Sequence, residues 1–214
     1  MKLYEFPRAP HCRKVNILLA EKDIDIERIT VSIPDKHNLE PKFLSKNPRG
    51  LLPVLELENG VFLDESLAIC RFLERKFPQP ELFGISDEEK TEIDCWERHM
   101  EFDGYLPATD VFRNTAVQFS NRAVAGLPEG YRAIAELAER GERRVTLFFE
   151  RLEERLSGRD YIACGRFSMA DITGVIAVDQ AKRSGLSIPD NCHQIQRWYE
   201  SQYTRNSVSS TQVS

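Results

Sequence analysis

"LLPVLELENGVFLDESLAICRFLE", Leu51 to Glu74, changes its hydrophobic period part-way along. Two short apolar runs flank Glu58-Asn59-Gly60, and Asn-Gly between such runs is a strong hairpin signal. From Glu65 the spacing becomes helical, with Leu67, Ile69, Cys70, Leu73 and Phe77 available to one buried stripe. A lone hairpin and helix cannot bury these faces, so partners must come from elsewhere in the chain. Upstream, "KLYEF" and the β-branched "IDIERITVSI" read as strands on either side of the helical "RKVNILLAEK". The order is therefore β-α-β, a loop holding "EPKFLSKNP", a hairpin and a closing helix.

This mixed α/β pattern fills residues 1–78, and the Pro-rich "FPQPELFG" marks a linker over 79–87. From 88 to 205 strand signals vanish. Ile93, Trp96 and Met100 share one helical face, and Ile134, Leu137, Val145, Phe148, Leu152 and Leu156 share another. Ser168, followed three residues later by Asp171, predicts a capped start to a buried helix. "IQRWYESQ" predicts a further helix, and 206–214 reads as a disordered polar tail.

Composition narrows the function. The chain has 214 residues, 41% apolar and 29% charged, with a formal net charge of -5 and no extended basic run. Nucleic acid is therefore not an expected partner. No apolar run reaches membrane-spanning length and the sequence opens directly on a strand, so the expected location is the cytoplasm. The five cysteines are widely spaced, without metal-site pairing, and read as reduced thiols.

The first helix raises a chemical question. In "FPRAPHCRKVNILLAEK", Pro10 suits the first helical position, which makes Ala9 the N-cap. An alanine cannot satisfy the free N–H groups of the first turn, as Ser, Thr, Asp or Asn would. Those donors are left for an incoming anion, with the helix dipole adding on the order of 1–2 kcal/mol in a partly buried site. Cys12 falls in the same turn, where a thiol pKa can be lowered.

"NPRGLLPVLEL", "LDESLAICRFLE" and "FSMADIT", in this order and spacing, resemble the cytosolic glutathione transferases from Lys2 to about Tyr203. The resemblance implies a thioredoxin-like N-terminal domain followed by an all-helical domain. It implies glutathione as co-substrate, a small electrophile as second substrate, no metal and a homodimer serving detoxification. Pro53 matches a cis-proline that turns the backbone of Leu52 toward the cysteinyl amide of glutathione, like an added strand. Glu65 and Ser66 match the acid-Ser pair that takes the γ-glutamyl ammonium and carboxylate. Asn38, or His37, stands where the glycyl carboxylate is met, and Arg8 would add positive charge near the thiol. Most relatives activate the sulfur with a Tyr, Ser or Cys; here the Ser or Cys position is Ala9, with Tyr4 a weaker alternative.

That departure resembles an atypical fungal and bacterial branch with Gly or Ala in this place. Such enzymes use the first helix and a water held by the helical domain. In "DVFRNTAVQFS" the polar choices are Arg113, Asn114, Thr115 and Ser120, of which Asn114 is the expected water-holder. Two rival functions remain open: a non-catalytic binding relative, and a glutathione-dependent peroxidase or disulfide reductase built on Cys12.

Overall fold

The computed structural model describes residues 1–212, which form two compact units. The first unit contains residues 1–80, the segment 124–130 and residues 206–212. Its strands are β1 (Lys2–Glu5), β2 (Glu27–Thr30), β3 (Val54–Glu56) and β4 (Phe62–Leu63), in the order β2-β1-β3-β4. β1 runs parallel to β2 and antiparallel to β3, which pairs antiparallel with β4. The expected hairpin is therefore present, and Leu57 N–H bonds the Val61 carbonyl at 2.8 Å across its turn.

Strand alternation gives this sheet two apolar faces. Leu3 and Leu55 pair in register and are fully buried. Tyr4 and Val54, also paired, face the other way and cluster with Val31 and Phe43. Helices α1 (Pro10–Glu21) and α3 (Ser66–Lys76) pack on each other, burying Val15, Leu18 and Leu19 of α1 and Ile69, Cys70 and Leu73 of α3. Lys22, at the end of α1, is buried because its ammonium meets the carbonyls of Phe77 (2.9 Å) and Pro80 (2.6 Å) and the carboxylate of Glu74 (2.7 Å). That cation closes the carbonyl end of α3.

Three features differ from the sequence reading. The segment read as a loop carries a 3-10 turn at His37–Leu39 and a short helix, α2 (Pro41–Leu44). Four residues are too few to leave a period, and only Pro41 at the first helical position hints at it. The segment 124–130, expected in the helical domain, lies in the first unit against the Arg49–Leu51 turn. A Cβ on Gly126, whose φ is +76°, would lie 2.1 Å from the Arg49 carbonyl oxygen, so this approach requires glycine. Residues 206–209 form a helix, α9 (Asn206–Ser209), rather than a disordered tail. Val208 is buried, its carbonyl accepts from Arg13 at 3.1 Å, and Ser207 donates to Glu21. The end of the expected tail, 213–214, lies outside the described residues.

The second unit, 81–123 and 131–205, is helical apart from turns and one isolated bridge between Arg122 and Tyr131. It holds α4 (Asp87–His99), α5 (Leu106–Thr115), α6 (Ala135–Arg155), α7 (Met169–Arg183) and α8 (His193–Tyr203). A π-helical turn over Met100–Tyr105 joins α4 to α5. Val145, Phe148 and Leu152 of α6 and Leu156 just after it are buried as expected, but Leu137 is only partly buried and Ile134 precedes the helix and is exposed. α7 is the centre of the unit and begins with the capping box of Ser168 and Asp171. The fully buried Asp171 carboxylate accepts from Ile162 N–H (2.9 Å), Ser168 N–H (3.1 Å), Trp198 Nε1–H (3.0 Å) and the Ser168 hydroxyl (3.1 Å).

Candidate functional site

Three backbone features of the first unit build the site. The first is the bare start of α1. Ala9 has extended geometry (φ -80°, ψ 130°), its side chain caps nothing, and Pro10 follows. Its N–H is held by the Phe6 carbonyl at 2.8 Å, and Arg13 N–H makes the first intrahelical bond, to the Ala9 carbonyl at 3.0 Å. The Ala9 side chain therefore leaves the positive end of α1 uncapped.

The second is the start of α3, which the fold brings beside the start of α1. His11 Nδ1 lies 3.1 Å from the Ser66 hydroxyl oxygen, so the positive ends of two helices converge. Ser66 is buried. Glu65 is exposed and holds a positive φ of +65°. A non-glycine residue there costs about 1–3 kcal/mol and is characteristic of ligand-gripping positions. Its carboxylate pairs with Arg49, which also reaches Asp64 at 3.5 Å. Hydrogen bonding to Glu65 raises the Arg49 pKa further.

The third is the Asn47–Pro53 turn, which ends in a cis bond between Leu52 and Pro53. Asn47 braces it, donating to the Leu51 carbonyl (3.0 Å) and accepting from Arg49 N–H (3.1 Å). Asn38 holds it from the other side through a 2.8 Å bond to the Gly50 carbonyl. Asn38 is itself buried, and its amide oxygen has no hydrogen-bond partner among the described residues. The expected contact to a glycyl carboxylate thus falls on a residue already tied to the loop. His37 is exposed, 3.9 Å from Glu40, and Arg8 is exposed on the turn leading to Ala9.

Other expected residues have different surroundings. Tyr4 donates its hydroxyl to Glu56 at 2.6 Å and sits among Phe43 and Phe62; burial, then Glu56, pushes its pKa up to about 12. Its proton is committed inside the sheet. Cys12 is fully buried, its sulfur accepts from Phe6 N–H at 3.4 Å, and burial pushes the thiol up to about 12. The first-turn position does not lower it, because desolvation outweighs the helix end. Asn114, in the second unit, donates to the Asp110 carbonyl (2.7 Å) and accepts from Ile134 N–H (2.8 Å). Its amide ties α5 to the approach of α6. Among the described residues no cluster of His, Cys, Asp and Glu is arranged for a metal, and no helix is long and apolar enough to cross a membrane.

His11 and Arg49 are the two site residues that the sequence did not single out. Their partners are 55 and 16 residues away, so no local pattern marks them.

Comparison with known proteins gives this arrangement its class. Residues 3–81 match the glutathione S-transferase N-terminal domain and residues 116–206 the glutathione S-transferase C-terminal domain. The chain belongs to the glutathione S-transferase superfamily. It is 27% identical to glutathione S-transferase 2 of Saccharomyces cerevisiae over 97% of this chain and 88% of that protein. The crystal structure of Gtt2 from that yeast superposes with a TM-score of 0.89, covering 99% of this chain and 100% of the other. A Gtt2-class transferase of Vibrio parahaemolyticus is 32% identical, with a TM-score of 0.84 over 99% and 96% of the two chains.

Proposed function

We propose that the protein is a glutathione transferase whose reacting sulfur is activated by the start of α1. The observation that carries this reading is the uncapped helix start at Ala9, in the same unit as Ser66 and the cis-Leu52–Pro53 turn. The glutathione thiol loses its proton to solvent, the sulfur bonds to an electrophilic carbon, and the leaving group departs with the displaced electron pair. A helix end worth on the order of 1–2 kcal/mol moves a thiol pKa from about 8.5 toward neutrality, since one unit is about 1.4 kcal/mol. Leu52 contributes main-chain pairing to the peptide, Ser66 and Glu65 the γ-glutamyl end, and Arg8 positive charge. Asn38 supports the turn beneath the glycyl end, and Asn114 acts indirectly by fixing the helical segment around it. The enzyme is expected to work as a cytoplasmic homodimer, a state that light scattering on the purified chain would test.

Calorimetry with glutathione, followed by a panel of electrophiles, is the primary test. Binding with turnover supports a transferase, binding without turnover a non-catalytic relative, and no binding refutes the reading. Ser66→Ala and Glu65→Ala should each weaken glutathione binding by about 1.5–3 kcal/mol, the range for hydrogen bonds to charged groups. Unchanged affinity in both would remove α3 from the γ-glutamyl role.

Cys12→Ser should leave conjugation within a few-fold of the parent, because a buried thiol with a raised pKa is not a nucleophile. This disfavours a peroxidase or disulfide reductase built on Cys12. A hundredfold loss of activity with unchanged circular dichroism would restore the redox reading.

A further inference from the structure

The helical unit holds a group of arginines that its own carboxylates leave unmatched. Arg151, Arg155, Arg166 and Arg197 each pair with an acidic side chain of that unit. Arg113 and Arg122, among the described residues, pair with none. Arg113 instead donates to the carbonyls of Ala123 and Arg122, both at 2.6 Å. Its guanidinium lies 4.3 Å over the Phe119 ring, and Phe119 meets Phe112 at 5.4 Å. The Arg183 guanidinium stands 4.9 Å over the Phe112 ring.

Such a cluster is costly by itself. Burial first, and the neighbouring Arg122 charge second, lower the Arg113 pKa. Nε of Arg122 is buried with no hydrogen-bond partner. Arg113 and Arg122 are each partly buried, and carbonyl dipoles and ring faces offset only part of a formal charge as it leaves water. A carboxylate suits the deficit, because a guanidinium offers it two parallel donors. The adjoining phenyl rings suit an apolar body.

We propose that Arg113 and Arg122, beside the Phe112–Phe119 ring pair, form a binding site for the carboxylate of a small organic acid whose apolar part lies against the rings.

The probes are 4-phenylbutyrate and its neutral amide, titrated into the full-length protein by calorimetry, with glutathione titrated in parallel. The parent should prefer the acid by about tenfold or more, as a charge-assisted contact implies, and less at high salt. Arg122→Gln removes a charge whose side chain makes no hydrogen bond among the described residues, so the fold should survive. It should bring acid and amide within about twofold while glutathione affinity stays unchanged. Arg113→Met should do the same if its circular dichroism matches the parent; Arg122→Gln decides the matter if it does not. Equal binding of acid and amide by the parent, or a preference that survives Arg122→Gln, overturns the proposal. Glutathione binding reports separately on the transferase reading, so either can fail alone.

Discussion

Ala9→Leu abolishes conjugation, by a hundredfold or more in kcat/KM, while the protein remains folded. Residue 9 is partly exposed at the open end of α1, so the added bulk stands over the first-turn donors without entering the core. A hundredfold loss corresponds to about 2.7 kcal/mol of transition-state stabilisation, more than the helix end alone supplies, because the sulfur is also displaced. Ala9→Gly keeps the approach open and retains most of the activity. Ala9→Ser is the informative substitution: its hydroxyl can cap the helix and occupy the donors, as Ser does at ordinary helix starts. A loss of activity is expected. Full activity in Ala9→Leu would show that the sulfur does not use this helix end.

Asp171→Ala lowers stability by about 3–4 kcal/mol, because the buried Ile162, Ser168 and Trp198 N–H donors lose their acceptor together. Denaturant unfolding monitored by Trp fluorescence measures it, and a change under 1 kcal/mol would contradict the account of α7. The same carboxyl has a pH signature. Burial pushes its pKa up to about 6 in the folded state, against about 4 when unfolded. Between these values the folded state holds the extra proton, so this group makes stability fall as pH rises from about 4 to about 6. Asp171→Asn should remove that slope, and an unaltered slope would assign it to other groups.

What the sequence made legible was local. Asn59-Gly60 marked the hairpin, Pro10 marked the start of α1 with Ala9 as an uncapped N-cap, and Ser168 with Asp171 marked the start of α7. Each rests on residues within one turn of one another, where spacing alone fixes the geometry. Contacts between distant residues had no such signal. The meeting of His11 with Ser66, the pairing of Arg49 with Glu65 and the packing of Gly126 on the Arg49 turn depend on tertiary placement. Composition misled at the C-terminus, where polar residues conceal a helix anchored by Val208 and Arg13. At Asn114 the bond to the Asp110 carbonyl lies within one helical turn, but the bond from Ile134 N–H, twenty residues on, has no local signal. At Cys12 two physical effects compete, and the sequence displays only the helix start; burial, which prevails, comes from the fold.

If an uncapped helix start replaces the missing side-chain donor, its effect falls on the ionisation of one bound sulfur. The most direct test is the ultraviolet thiolate absorbance of glutathione bound to the protein, followed against pH, with Ala9→Leu as the control. The bound thiol is expected to have a pKa below about 7.5, where a free thiol lies near 8.5. A pKa unshifted from that of free glutathione, in a protein that binds it well, would contradict the mechanism and favour a binding module.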